Sequence, residues 1–311
     1  MSELSILCTC PPMIGGIDRV RDEFARRGAR VIIPEFAQIL SEDELVGLVP
    51  QHDGWIIGDD PATARVFAAG RAGKLRAAVK WGVGTDNVDF KGAEAAGLDV
   101  ANTPGMFGEE VSDVAIAYLI GLARGLFAID RGVRAGGWPK PSGISLAGKT
   151  VALAGYGNIG RTTARKLLAF GMKVIVHDPG CWPEPVPGLV GRGWPEGLGE
   201  ADFVVLTCAL TASNRRMVNA ETIALMKPGV RIVNVSRGPL IDEAALAGAL
   251  RSGHVAAAAL DVFEEEPLPP DNPLRGFEQC VFGSHNGSNT REAVDRTSLR
   301  AIELLFLRLG K

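Results

Sequence analysis

No uncharged apolar run in this chain approaches the roughly 18–20 residues that a membrane span needs, so no membrane partner is expected. An excess of basic charge is also missing. With 33 Lys+Arg against 36 Asp+Glu, a net charge of -3 and a pI near 5.9, there is no electrostatic reason to expect nucleic acid or an anionic surface as a partner. The opening Met1-Ser-Glu-Leu has no basic stretch, so no secretory leader is expected and the location reads as cytoplasmic. Cysteines number five, an odd count that does not make a disulfide framework. Cys8 and Cys10 stand too close for a redox CxxC pair, and Cys181, Cys208 and Cys280 are scattered. His52, His177, His254 and His285 lack zinc-ligand spacing to any cysteine, so no metal is expected. Low-complexity segments are absent, as are repeats beyond two similar α/β halves.

What is present is an ordinary soluble mix, 46% apolar and 22% charged over 311 residues, enough for about two domains. Glycine, at 39 residues, falls between apolar runs and punctuates strand-to-helix turns. Strands are expected at 4–8, 29–33, 54–57, 77–80 and 99–102, with helices at 16–27, 41–49, 61–70 and 87–96 between them. A long helix over 109–132 follows, with Val111, Val114, Ala115, Tyr118, Leu119 and Leu122 along one face. After a turn-rich stretch, Gly136 to Gly143, strands recur at 151–154, 173–177, 203–207, 231–235, 257–260 and 281–282. Their helices are expected at 161–170, 220–226 and 242–251, and a helix over 291–309 closes the chain. Such alternation implies parallel strands joined by right-handed crossovers, an α/β class.

The second series opens on a nucleotide fingerprint. Thr150-Val-Ala-Leu-Ala154 runs into Gly155-Tyr-Gly157-Asn-Ile-Gly160, and a helical pattern then leads to Gly171 and the next strand. Gly155 suits the tight turn, Gly157 lets a pyrophosphate approach the backbone, and Gly160 lets the helix sit close to the sheet. Phosphates then rest at a helix N-terminus. Asp178 ends the second strand, with 17 residues between it and Gly160. A carboxylate there accepts from ribose hydroxyls and repels a 2′-phosphate, which points to NAD (NADH) rather than NADP. A glycine-rich turn that binds no nucleotide is the other reading of GxGxxG, and the strand–turn–helix–strand context disfavours it.

Three polar residues sit just after expected strands, where open α/β sheets place ligands. Arg237 follows 231–235, Glu266 follows 257–260 and His285 follows 281–282. An arginine grips a carboxylate and polarises the adjacent carbonyl, a histidine exchanges the hydroxyl proton, and a carboxylate beside it orients the ring. Taken singly, each also reads as a solvated charge or a polar turn residue.

Several ordered motifs carry a family likeness: Trp81-Gly-Val-Gly-Thr-Asp-Asn-Val-Asp89, Asn102-Thr-Pro-Gly105, Gly148-Lys-Thr150 with the glycine loop, Met226-Lys-Pro-Gly229, Asn234-Val-Ser-Arg-Gly-Pro-Leu-Ile-Asp242 and Asp261-Val-Phe-Glu-Glu-Glu-Pro-Leu268. In these, and over nearly its whole length, the chain resembles the D-isomer-specific 2-hydroxyacid dehydrogenases, which include phosphoglycerate dehydrogenases, glyoxylate/hydroxypyruvate reductases and D-lactate dehydrogenases. The resemblance implies hydride transfer between the nicotinamide and C2 of a small 2-oxo or 2-hydroxy acid, with Arg237, Glu266 and His285 as the catalytic set. It places Val83 and Gly84, with Arg237 and His285, on the substrate, and Asp261 at the nicotinamide carboxamide. Asn158, Ile159, Asp178, Cys208, Val235 and Ser236 fall at other cofactor positions beside Gly155, Gly157 and Gly160. Two doubly wound parallel-sheet domains are implied: a flavodoxin-like substrate domain, 1–102 with 285–311, and a Rossmann NAD domain, 103–284. Hinges are expected near Asn102–Gly105 and Gly283–Ser284, and the 109–132 helix resembles the element on which such enzymes form homodimers.

Departures mark the rest. Ser284 and Asn286 flank His285, where the family usually has proline and an apolar residue, and Cys208-Ala-Leu-Thr211 lacks an often-present proline. Asp59 and Asp60 follow the third strand, where phosphoglycerate-specific relatives often carry a basic residue. Two carboxylates there would repel a phosphorylated acid, unless they face solvent or cap the next helix. The chain stops at Lys311, where some relatives continue into a regulatory domain. Two other readings use the same scaffold: an NAD(H)-sensing interaction protein, and a phosphite- or formate-type dehydrogenase.

Overall fold

The computed structural model describes residues 3–36, 38–184 and 186–310. It divides into two compact units, Met1–Met106 with Asn289–Lys311, and Phe107–Ser288.

The first unit is built on β1 (Leu4–Cys8), β2 (Ala29–Ile32), β3 (Gly54–Ile57), β4 (Ala77–Lys80) and β5 (Asp99–Asn102). All pair in parallel in the order β2-β1-β3-β4-β5, the flavodoxin-like arrangement. Between the strands run α1 (Pro11–Gly15), α2 (Arg21–Arg26), α3 (Glu42–Leu48), α4 (Ala64–Ala72) and α5 (Phe90–Ala95). Every residue of β3 and β4 is buried, as strands covered on both faces must be. Where a helix over 16–27 was expected, a 3-10 turn at Ile17–Arg19 and the shorter α2 stand instead, parted by Val20 at φ -122°, ψ -1°.

The second unit begins with α6 (Gly108–Arg124) and α7 (Leu126–Arg134) where one long helix was expected. Gly125 takes the left-handed conformation, φ 64°, and the two helices bend by 68°. A Cβ on Gly121 would lie 2.2 Å from the Phe127 ring, so this glycine is what lets α7 fold back on α6. The sheet comprises β6 (Thr150–Ala154), β7 (Lys173–His177), β8 (Leu189–Gly191), β9 (Phe203–Leu206), β10 (Val230–Asn234), β11 (Val255–Leu260) and β12 (Cys280–Phe282), with α8 (Asn158–Ala169), α9 (Ala220–Ala224) and α10 (Glu243–Ser252). Its order, β12-β11-β10-β9-β6-β7-β8, is all parallel and matches the dinucleotide-binding arrangement with one further edge strand. The direction of strand addition reverses between β6 and β9, which puts a ligand crevice beyond their C-terminal ends. The edge strand β8 was not expected, because three residues between turns carry no alternation to read.

The last helix, α11 (Arg291–Arg308), belongs to the first unit. Phe306 meets Phe24 edge-on at 6.4 Å between ring centroids, Trp81 Nε1 donates to Ser298 Oγ at 3.1 Å, and Arg308 Nε donates to Asp99 at 3.1 Å. Residues 103–106 lie with the first unit and residues 285–288 with the second, whereas the sequence placed His285 with the substrate domain. The reason is local: Gly283 N donates to Leu260 O at 2.8 Å and His285 N to Asp261 O at 2.7 Å, so this turn is an extension of the β11–β12 edge. Among the described residues no single helix is long and apolar enough to cross a membrane.

Two buried imidazoles link the fold to pH. His52 lies against Ser5 Oγ at 2.7 Å, and His177 against Arg192 O at 3.1 Å with its ring edge-on to Trp194. Burial holds both below the ordinary histidine range. Below about pH 6.5 the unfolded chain therefore takes up protons that the native chain refuses, and stability falls with falling pH. The thermal midpoint of the wild type is expected to drop between pH 7.5 and 5.5 by more than that of the His52→Asn/His177→Asn double variant. Equal slopes would contradict this assignment.

Candidate active site

The crevice is formed first by glycines. Gly155 follows β6 with φ 97°, and a Cβ there would meet Cys208 N at 2.5 Å. A Cβ on Gly160 would lie 2.1 Å from Gly155 O, so only glycine lets α8 approach the sheet this closely. A Cβ on Gly157, by contrast, would find nothing within 4 Å, which leaves open space in front of the α8 N-terminus. No side chain caps that terminus and no acidic residue stands in its first turn. Its N–H groups and dipole therefore suit a diphosphate. Thr207, not singled out from sequence, secures the turn by donating to Ala154 O at 3.1 Å and Gly155 O at 3.0 Å. Asn158 packs against Gly108, where a Cβ would come within 2.6 Å of Asn158 Oδ1, and half-buried Ile159 accepts from Thr163 Oγ1 at 2.9 Å.

Asp178 closes this end of the cradle. Its Oδ2 accepts from Tyr156 N at 2.6 Å, and its Oδ1 from Gly180 N at 2.8 Å and Cys181 N at 2.9 Å. The carboxylate is thus tied to the glycine loop, and its remaining lone pairs match ribose hydroxyls while its charge opposes a 2′-phosphate. Cys208 lies on the other side, and burial pushes its thiol up to about 11. It stays uncharged at neutral pH, so it adds no negative charge beside a diphosphate. Val235 is buried, and Ser236 Oγ donates to Cys208 O, which joins the loops after β9 and β10. These residues fit NAD.

Further along the same edge, the loops after β10, β11 and β12 are locked together. Fully buried Asn234 donates through Nδ2 to Arg237 O at 2.8 Å and accepts through Oδ1 from Ser236 N at 3.0 Å, which fixes the turn that presents Arg237. Gly238 then passes directly beneath the next loop, where a Cβ would lie 1.8 Å from Phe263 C and O. Phe263 N donates to Glu266 Oε1 at 2.9 Å, and Glu266 Oε2 lies 2.7 Å from His285 Nδ1. A proton on Nδ1 in that bond leaves Nε2 as the atom able to exchange a proton with a ligand. His285 itself takes φ 55°, a conformation non-glycine residues rarely adopt and one associated with functional sites.

The structure turns Asp261 inward. It is 3% exposed, its carboxylate accepts from Gly287 N at 2.9 Å and Asn286 N at 3.4 Å, and its carbonyl accepts from His285 N. Its visible task is to hold the histidine turn.

In the first unit, Val83 and Gly84 lie in the loop after β4. Gly82 N donates to Thr103 Oγ1 at 2.8 Å and Asn102 Nδ2 to Val83 O at 3.2 Å, and Val83 is exposed. The expectation that Asp59 and Asp60 together repel a phosphorylated acid does not survive. Asp60 is fully buried and accepts from Leu40 N at 3.0 Å, and burial pushes its carboxyl up. Asp59 pairs at 2.9 Å with the ammonium of buried Lys80, so its charge is balanced. The following helix is capped by Thr63, not by either aspartate. Among the described residues, no group of three or more His, Cys, Asp or Glu is placed to hold a metal.

A family model described as D-isomer specific 2-hydroxyacid dehydrogenase, NAD binding domain, matches residues 116–287. The hydroxypyruvate reductase of Thermotoga maritima is 38% identical over 277 residues, covering 87% of this chain and 89% of that protein. The D-3-phosphoglycerate dehydrogenase of Mycobacterium leprae is 38% identical over 272 residues, 86% of this chain but only 51% of that longer protein. Among solved structures, the TT0316 protein of Thermus thermophilus superposes with a TM-score of 0.87 at 34% identity, covering 99% of this chain and 97% of that one. By this kinship the chain belongs to the D-isomer-specific 2-hydroxyacid dehydrogenase family and is an NAD-dependent oxidoreductase that acts on the CH–OH group of 2-hydroxy acids.

Proposed function

We propose that the enzyme works as a 2-oxoacid reductase in which His285, held by Glu266, delivers the proton and Arg237 grips the acid. The observation that carries this is the chain of contacts from Phe263 N through the two Glu266 oxygens to His285 Nδ1. Bound NADH supplies the hydride. The Arg237 guanidinium binds the substrate carboxylate and draws electron density toward the carbonyl oxygen. The N–H groups of Val83 and Gly84 are proposed as substrate-binding groups on the strength of the family resemblance. His285 Nε2 then protonates the developing alkoxide, and the Glu266 carboxylate stabilises the imidazolium beforehand.

Small unphosphorylated acids are the substrates this reading favours, supported by the likeness to a hydroxypyruvate reductase over most of both chains. A homodimer is proposed on α7, none of whose residues is buried in one chain: it exposes Leu126, Phe127 and Val133, and Trp138 beyond it is 76% exposed. A reducing, cytoplasmic setting suits the five free cysteines.

Substitution tests the proton assignment. Glu266→Gln keeps the size of the side chain and removes the charge that supports the imidazolium, so kcat for reduction is expected to fall about tenfold or more with NADH affinity nearly unchanged. An unchanged kcat would remove Glu266 from the role given to it.

A further inference from the structure

The hydroxyl of Tyr118, on α6, lies 3.4 Å from Asp261 Oδ1, and its ring packs on Phe127 with centroids 6.5 Å apart. Burial, reinforced by the Asp261 carboxylate, pushes this phenol well above the usual tyrosine range, so it remains a donor at any working pH. Asp261 is the point on which the catalytic turn closes. Its backbone N–H donates to Asn234 O at 2.9 Å, its carbonyl accepts from His285 N at 2.7 Å, and its carboxylate accepts from Gly287 N at 2.9 Å. Gly283 completes the packing: a Cβ there would lie 2.0 Å from Asp261 Oδ1 and 2.4 Å from the Tyr118 hydroxyl. The turn therefore rests directly on the Tyr118–Asp261 pair, and its neighbour His285 is held at φ 55°.

We infer that Tyr118 is a positioning residue for the reaction: by holding the Asp261 carboxylate it fixes the 283–287 turn, and through it the alignment of His285 on Glu266. Left-handed backbone is uncommon and costly for a non-glycine residue, histidine included, so it persists where the surrounding bonds support it. Tyr118 supplies a donor from outside the turn and outside the sheet. The inference rests on the reading of His285 as the proton donor.

Tyr118→Phe keeps the ring and its packing on Phe127 and removes only the donor. The expected result is a kcat lower by about 2–10-fold, the worth of one intramolecular hydrogen bond of ordinary strength, as suits a 3.4 Å contact. NADH affinity stays within about twofold, and the solvent deuterium isotope effect on kcat increases, because a misaligned proton transfer becomes more rate-limiting. An unchanged kcat in the folded variant overturns the inference. So does a lower kcat with an unchanged solvent isotope effect, which would mean general loosening of the fold. His285→Ala is measured alongside. A near-wild-type kcat after that substitution would defeat the underlying reading, whereas a His285→Ala enzyme slowed by about 10³-fold beside a normal Tyr118→Phe defeats this inference alone.

Discussion

His285→Ala is expected to lower kcat for 2-oxoacid reduction by about 10³-fold while NADH affinity stays within about threefold. The asymmetry follows from where the residue sits. The proposed cofactor cradle, Gly155, Gly157, Gly160 and Asp178, lies around β6, α8 and β7, and His285 belongs to the turn after β12, at the far edge of the same sheet. On the proposed mechanism, removing the imidazole takes away the proton source without touching the proposed diphosphate site. Residual rate would then come from the proposed polarisation of the carbonyl by Arg237 and from water as a poorer acid. Isothermal titration with NADH and steady-state assays separate the two effects. Loss of NADH binding in step with loss of turnover would place His285 in the cofactor site instead.

Gly238→Ala should be nearly as damaging although the added group is a single methyl. Its Cβ would fall 1.8 Å from Phe263 C and O and 2.4 Å from Glu264 N, all backbone atoms that cannot swing away. The 263–266 loop must move by more than an ångström, and Glu266, fixed through Phe263 N, moves with it. Destabilisation of about 3 kcal/mol or more and a loss of about 10²-fold in kcat/KM are expected. Gly248→Ala is the matched control. It lies inside α10 with nothing within 4 Å of its Cβ, and alanine there should stabilise by about 0.5–1 kcal/mol. Wild-type melting and kinetics in Gly238→Ala would show that the β10 and β11 loops are not locked as described.

The strand positions were legible because alternation of short buried runs with amphipathic segments is a local signal, and parallel sheets bury both faces. Breaks inside helices were not. The pattern of Val111, Ala115, Leu119 and Leu122 continues smoothly toward residue 132, and nothing in that periodicity says that Gly125 turns left-handed. Local reading also erred at Asp59 and Asp60. Adjacent aspartates look like one doubled charge, yet one is swallowed by the core and the other meets Lys80, about 20 residues on. The glycine fingerprint and Asp178 could be read directly, since spacing alone places them on one strand–turn–helix–strand unit. Arg237, Glu266 and His285 stood out only as polar residues after strands, and their grouping rested on family resemblance. Tyr118 was missed because it occupies an apolar position of the α6 pattern, where its ring belongs and its hydroxyl leaves no periodic trace. Asn234 and Gly238 lay within a quoted motif, but their tasks depend on how the ends of β10 and β11 meet.

The most direct test of the whole account is NADH consumption by the wild-type enzyme at neutral pH with glyoxylate, hydroxypyruvate, pyruvate, phenylpyruvate and 3-phosphohydroxypyruvate, each in excess. Turnover with a small unphosphorylated acid, yielding its D-2-hydroxy product where C2 is a stereocentre, is the predicted result. Tight NADH binding with no turnover on any of these acids would contradict it.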